Sequence, residues 1–180
     1  MFTQLMPTEF FEAVAEFSRI TDANREFEWW ANTLITEETK ELKHAIENEG
    51  MDQVFKESAD LFYVVAGFYN CIPANPNIVK AEVHEALQPI LTDAWNTLAS
   101  VSTDKMIPME LFGQAFALVH ASNMSKLDDD GNPIRREDGK ILKGPNYVAP
   151  DMTPVVAAWE DFIATNPQPV QENNNAEISD

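Results

Sequence analysis

Apolar residues recur along most of the chain at spacings of three and four, the period of amphipathic helices rather than of strands. Phe10, Phe11, Val14, Ala15 and Phe17 predict a first helix, capped by Thr8 and ending near Thr21. A second is expected from about Glu26 to Glu49, with Gly50 at its stop. A third follows Met51-Asp52 and carries Val54, Phe55, Leu61, Val64, Val65 and Phe68 to Cys71. Ile72-Pro73-Ala74-Asn75-Pro76-Asn77 then breaks the pattern, because prolines so closely spaced forbid helix continuation. Asn77 is expected to cap Ile78 to Leu87. Pro89 either opens a further piece to about Ser100 or kinks one longer helix. Pro108 opens a helix through Leu111, Phe112, Ala115, Phe116, Leu118 and Val119.

Beyond Lys126 the texture changes. Leu127 to Asp151 holds two turn signals, Asp130-Gly131 and Asp138-Gly139, and predicts a small β-hairpin or ordered loop. A short helix from Pro154 to Ala164 follows, with Val155, Val156, Trp159 and Phe162. From Asn166 onward, Pro-Gln-Pro, consecutive Asn and scattered acids predict a disordered tail. The expected fold class is all-α, an antiparallel helical bundle forming one domain over 1–165 with an acidic tail over 166–180.

Two of the helical stripes carry acids where apolar residues belong. On the second helix the stripe reads Trp30, Leu34, Glu38, Glu41, Ala45; on the third, Val54, Glu57, Leu61, Val64, Phe68, with Asp60 flanking. An antiparallel hairpin turning near Gly50 sets Glu41 level with Glu57 and Glu38 level with Asp60, one turn apart. Unpaired buried carboxylates are costly, so such a set requires cations or protonation. An oxygen-only site suits Mg²⁺, with Mn²⁺ as a substitute. The plainer alternative is a solvated acidic face.

Other metal chemistries fail on spacing. Glu41 and His44 have the Glu-x-x-His spacing of di-iron bundles, but the positions three before His84 and His120 are Ala81 and Ala117. The three histidines are therefore read as surface or packing residues, and Glu82 with Glu85 as a solvated face. A calcium loop starting at Asp128 would need Gly and Glu where Pro133 and Gly139 stand, so the Asp run is read as a turn.

Charge narrows the partners. Thirty acids against twelve Lys and Arg give a net charge of −18 over 180 residues. A polyanion would be repelled, so neither nucleic acid nor an anionic membrane is an expected partner. What remains is a cation-collecting site or an acidic imitation of DNA. The 44% apolar content suffices for a core. Cys71 alone cannot form an intrachain disulfide. With no basic-then-apolar start and no apolar run near the ~18 residues of a membrane span, a soluble cytoplasmic protein is expected.

Glu37-Glu38-x-x-Glu41 followed by Glu57-x-x-Asp60 resembles the EExxE…ExxD signature of the all-α nucleoside triphosphate pyrophosphohydrolases. That group includes the MazG-like enzymes, dimeric dUTPases and phosphoribosyl-ATP pyrophosphohydrolase. Val119-His120-Ala121-Ser122-Asn123-Met124-Ser125-Lys126, Arg136-Glu137-Asp138-Gly139-Lys140, and Lys143-Gly144-Pro145-Asn146-Tyr147 with Pro150-Asp151 resemble the C-terminal half of phage-type MazG-like proteins. Among these are MazZ-type enzymes acting on dGTP or GTP. Residues 30–70 and 112–152 carry the likeness; the 73–108 segment is longer than in the shorter relatives.

The resemblance implies Mg²⁺-dependent hydrolysis of a (d)NTP, a purine such as dGTP, to monophosphate and pyrophosphate, in a host cytoplasm if the chain is viral. It implies that Glu38, Glu41, Glu57 and Asp60 hold the metals, and that Glu37 completes the site or orients the attacking water, with Glu37 and Glu38 as the catalytic pair. The metals would supply the activated water. No nucleophilic triad is present or required.

The residues themselves suggest the substrate contacts. Phe112, Phe116, Val119, Asn123 and Lys126 share one helical stripe, so Asn123 and Lys126 emerge where the core face ends. The lysine suits a phosphate, and the amide a sugar hydroxyl or base edge. Lys143 offers a second phosphate contact with Tyr147 stacking nearby. Arg135 and Arg136 are read as hairpin-surface charges or contributions to a neighbouring subunit's site. Trp30 is read first as packing and second as a base platform. A two-helix hairpin cannot enclose a nucleotide alone, so a homodimer or a tetramer of dimers is expected. The alternatives to an enzyme are a DNA mimic, which would need its acids along an exposed face, and a nucleotide sensor that releases its ligand unchanged.

Overall fold

The computed structural model describes residues 6–21, 27–72, 81–137 and 141–167, without the side chains of 81–84. Described elements are α1 (Thr8–Ile20), α2 (Phe27–Trp29), a π-helical segment (Trp30–Ile35), α3 (Thr36–Asn48), α4 (Met51–Cys71), α5 (Ala81–Asp104), α6 (Met109–Met124) and α7 (Thr153–Thr165). The fold is all-helical among these residues, as the periodicity predicts. No described helix is long and apolar enough to cross a membrane.

Pro7, not Thr8, precedes the first helical residue of α1, and no side chain caps it. Glu9 in the first turn and Arg19 in the last complement the helix dipole. Thr21 ends the helix, donating its hydroxyl to the Phe17 carbonyl at 2.7 Å.

The predicted second helix is continuous from 27 to 48, but one turn of it is widened. Across Trp30–Ile35 the backbone is π-helical, and the Thr36 hydroxyl donates to the Ala31 carbonyl at 3.1 Å. The widened turn delays the phase of everything after it. The buried positions are therefore Ala31, Ile35, Thr39, Leu42 and Ala45, whereas Leu34 is half-buried and Glu41 exposed. The predicted stripe through Leu34 and Glu41 is displaced by one residue in its middle.

The central helix is α4, packed by α1, α3, α6 and α7. From Val54 to Phe68 every residue but Lys56 and Asp60 is buried, the predicted stripe included. Phe10 of α1 stacks on Phe116 of α6 at 3.8 Å and meets Phe62 of α4 edge-on at 5.6 Å. Phe62 meets Phe112 likewise at 5.4 Å. These rings tie three helices into one aromatic core.

Pro89 does not start a new helix. It sits within α5 on an exposed position, where a carbonyl left without its helical donor is cheapest to accommodate. The Pro73–Pro76 break and the Asn77 cap lie outside the described residues. Pro108 precedes α6 as predicted.

The loop after α6 is ordered without forming a strand pair among the described residues. It holds two isolated antiparallel bridges, Leu127 with Pro133 and Arg135 with Ile141. Proline at one bridge removes a donor that a ladder would need. Asp128 Oδ1 accepts the backbone N–H groups of Asp130 and Asn132 at 3.0 and 2.8 Å, which makes the Asp run the expected turn. The second turn signal, at Asp138-Gly139, and the tail from 168 onward lie outside the described residues. α7 closes over this end, with Trp159 donating to the Lys105 carbonyl at 2.8 Å.

Candidate active site

The α3–α4 hairpin brings Glu38, Glu41 and Glu57 together. One oxygen from each lies within 4.8 Å of the other two. Glu57 is 7% exposed, and its Oε2 is buried with no hydrogen-bond partner. Its Oε1 accepts from the Lys56 ammonium at 2.7 Å, and Asp60 Oδ2 accepts from the same ammonium at 2.9 Å. Asp60 is not a member of the close group. It stands one turn along α4, tied to Glu57 through Lys56.

The electrostatics follow from this crowding. Burial, then Asp60, Glu41 and Glu57, push the Glu38 carboxyl up to about 8, against the opposing pull of Lys56. Glu57 is raised as well, chiefly by burial. Burial would lower Lys56, but Asp60 and Glu57 outweigh it and raise the ammonium above its ordinary value. A buried carboxylate oxygen without a donor is costly, and it faces a site already rich in negative charge. The donor set is all oxygen and anionic, so these residues fit a hard divalent cation.

A cavity of about 510 Å³ opens beside the carboxylates, with Glu37, Glu38 and Asp60 at one end. Phe17, Trp29, Trp30 and Tyr63 give it an aromatic wall, and Ser18, Thr33 and Asn123 give it polar contacts. Trp30 thus both packs, at 7% exposure, and lines the cavity. Lys126 lies at the cavity and donates to Asn123 Oδ1 at 2.6 Å. Burial lowers its ammonium below the ordinary value, against the pull of Asp60 and Tyr147. The Tyr63 hydroxyl stands 3.2 Å from His120 Nδ1 and also hydrogen-bonds with the Asn123 amide. His120 is half-buried and stacked on Tyr63, which fits its reading as a packing residue.

Lys143 and Tyr147 pair with each other instead of lining this cavity, the ammonium lying 4.6 Å from the ring centroid. Slight burial raises the Tyr147 phenol, but hydrogen bonds from Ser122 and Lys143 outweigh it and bring it below its ordinary value. Lys40, Glu41, His44, Glu49 and Glu57 line a second cavity of about 330 Å³. The acids thus line both cavities, Glu38 and Asp60 the larger and Glu41 and Glu57 the smaller.

Several of these residues went unrecognised in the sequence. Lys56 was legible: it adjoins Glu57 and lies four before Asp60, the spacing of an ion pair on one helix face. Phe17, Ser18 and Thr21 carry no local signal, because only tertiary packing brings α1 to the site. Arg135 is not merely a surface charge. Its guanidinium donates to the Thr21 carbonyl and lines the cavity.

The family model for phosphoribosyl-ATP pyrophosphohydrolase matches residues 8–87, a span that includes α1, α3, α4 and all five acids of the signature. No curated protein and no solved structure matches the chain. The matched family consists of pyrophosphohydrolases that act on a nucleotide, and the site just described lies within the matched span except for what α6 and its loop add. Over residues 8–87 the chain is therefore similar to phosphoribosyl-ATP pyrophosphohydrolase, a family of the MazG-like nucleoside triphosphate pyrophosphohydrolase superfamily.

Proposed function

We propose that the chain hydrolyses a nucleoside triphosphate, preferably a purine such as dGTP, to the monophosphate and pyrophosphate with Mg²⁺, for which Mn²⁺ substitutes. The observation that carries this is Glu57 Oε2, buried and unpartnered, in a carboxyl group that closes to within 4.8 Å with Glu38 and Glu41. These three, with Asp60 beside them, would hold the cation. Bound there, it neutralises triphosphate charge and lowers the pKa of a water.

The chain's own residues do the rest. The cavity has the volume of a small-molecule site, and its aromatic wall supports a flat base. Asn123, Thr33 and Ser18 offer donors and acceptors to the base edge and sugar. Lys126 meets phosphate charge between Asn123 and the carboxylates. Glu37, exposed at the cavity, and Glu38 are placed to take the proton of an attacking water. The opening past Glu41, lined by Lys40 and His44, offers an exit for pyrophosphate.

Charge mimicry of DNA would need its acids on an exposed face. The burial of Glu57 speaks for the enzyme instead. A homodimer or tetramer follows from the same reading, because Glu41 is exposed and a second copy would close that side. Light scattering on the eluted protein tests it, and a monomer would refute it.

The deciding experiment incubates the protein with each of the eight common NTPs and dNTPs, with Mg²⁺ and then with EDTA. The expected result is monophosphate and pyrophosphate from a purine substrate, abolished by EDTA. Intact triphosphates throughout would overturn the proposal.

A further inference from the structure

His120 stacks on Tyr63, but its ring also ends a chain of polar contacts that reaches the larger cavity. The direction of that chain is fixed at its far end. An ammonium only donates, and Lys126 Nζ lies 2.6 Å from Asn123 Oδ1. The amide oxygen therefore faces the lysine, and the amide N–H groups face away from it. One of them meets the Tyr63 hydroxyl oxygen. Burial holds the Tyr63 phenol above its ordinary value, and this contact pulls the other way, as a donated N–H does. With its oxygen accepting from Asn123, the phenol has its single hydrogen left for His120 Nδ1, 3.2 Å away. Tyr63 is 6% exposed, so water is a poor competitor for that hydrogen. Nδ1 therefore accepts, and the ring carries its proton on Nε2.

We propose that His120 is a positioning residue for the nucleotide: by accepting at Nδ1 it turns the Tyr63 hydroxyl, and through it the Asn123 amide, so that Lys126 is held at the cavity. Its effect on the nucleotide rests on the function proposed above; the direction of the hydrogen bonds does not. Protons reach His120 from another side. It lines a separate cavity of about 530 Å³ between α1 and α6, beside Glu9, Phe10, Glu110 and Phe116. Burial keeps the ring below its ordinary value, against the pull of Glu16 on α1. The other titratable groups facing it are Glu9 and Glu110 at that cavity and Tyr63 on α4, on which Asp60 acts in turn. A proton added at Nδ1 sets two donors against each other. The Tyr63 hydrogen then turns toward the Asn123 N–H, the amide gives way, and Lys126 loses its acceptor. KM is therefore expected to rise as pH falls through the His120 titration.

Two measurements test this. Long-range ¹H–¹⁵N spectra of the labelled full chain read which ring nitrogen is protonated, with the His120 signals identified by their absence from His120→Asn. At pH 8 a proton on Nε2 and none on Nδ1 is expected. The opposite tautomer would overturn the inference, whatever the protein hydrolyses. KM for dGTP, or for the triphosphate hydrolysed best, is then followed with Mg²⁺ from pH 8 to pH 5 in wild type and two variants. His120→Asn sets a non-titrating acceptor near the place of Nδ1. Its KM is expected to match wild type at pH 8 and to lack the wild-type rise at acid pH. His120→Phe keeps the stacking without the acceptor. Its KM at pH 8 is expected to be about three- to tenfold higher, with kcat nearly unchanged. A wild-type KM in a folded His120→Phe protein would overturn the inference, as would an acid rise shared by His120→Asn. If no triphosphate is hydrolysed, the proposed function falls and the nucleotide role of His120 with it, while the tautomer still decides the hydrogen bonds.

Discussion

The indole of Trp30 lies against Gly67 so closely that its six-membered ring fills the space a Cβ on that residue would need. The contact joins the widened turn to the middle of α4, and Trp30 also lines the larger cavity. Adding one methyl at Gly67 therefore strains both core and cavity. Gly67→Ala is expected to cost about 1–3 kcal/mol, as overpacked cores do. For a chain of this length that lowers Tm by several degrees in calorimetry. The same variant should raise KM for the nucleotide, because Trp30 must shift away from α4.

Removing an acid of the close group should abolish catalysis while sparing the fold. Glu41 is exposed, so Glu41→Gln leaves no buried vacancy. Its turnover is expected to fall about 100-fold or more, matching the several kcal/mol that metal-assisted charge stabilisation supplies. Mn²⁺ binding should weaken in parallel, with an unchanged circular dichroism spectrum. Normal turnover in this variant would refute the site.

The raised carboxyl of Glu38 makes a signed prediction about pH. Unfolded, the group titrates near its ordinary value of 4.5; folded and free of metal, it holds its proton to about 8. Between those values the native state binds more protons than the unfolded state, so stability falls as pH rises. This contribution is fully present below about 4.5 and lost on passing 8. EDTA-treated protein should therefore melt at progressively lower temperature from pH 5 to pH 8, and Glu38→Gln should flatten that slope. Cation binding at pH 7 should release protons, measurable as a buffer-dependent heat.

The Tyr63 hydroxyl links His120 to the Asn123 amide, which in turn receives Lys126. Tyr63→Phe keeps the ring stacking but breaks this chain of contacts. A loss of about 0.5–1.5 kcal/mol in stability is expected for the hydrogen bonds. KM should rise several-fold with kcat nearly unchanged, since the residue positions Asn123 and Lys126 and touches no carboxylate of the close group. An equal fall in kcat would assign the hydroxyl a different role.

How much of this was legible in the sequence depends on how local each signal is. The α4 stripe from Val54 to Phe68 is found where periodicity puts it, because that helix is regular throughout. The stripe through Leu34 and Glu41 slips, because no single-residue preference announces a π-helical turn. The pairing of Glu41 with Glu57 survives the slip, since both lie beyond the widened turn and close to the Gly50 corner. Of the hairpin or ordered loop expected after Lys126, the described residues form the ordered loop, with isolated bridges, one of them blunted by Pro133. The aromatic wall was out of reach, because Phe17, Trp29 and Tyr63 come from separate helices and meet only in the packed chain.

The π-helical turn has a consequence for how such a site can change. It sits between the tryptophans and the acids of one continuous helical stretch, and it holds about one residue more than an α-turn would. Deleting a single residue there, Asn32 for instance, would remove that surplus as the winding returns to regular, so Trp29 and Trp30 would keep nearly the same faces relative to Glu38 and Glu41. The same deletion in a regular part of α3 has no surplus to absorb and would swing everything before it by about 100°. The widened turn is therefore the one place in this stretch where chain length can change while the cavity wall and the acids of α3 keep their relative aim.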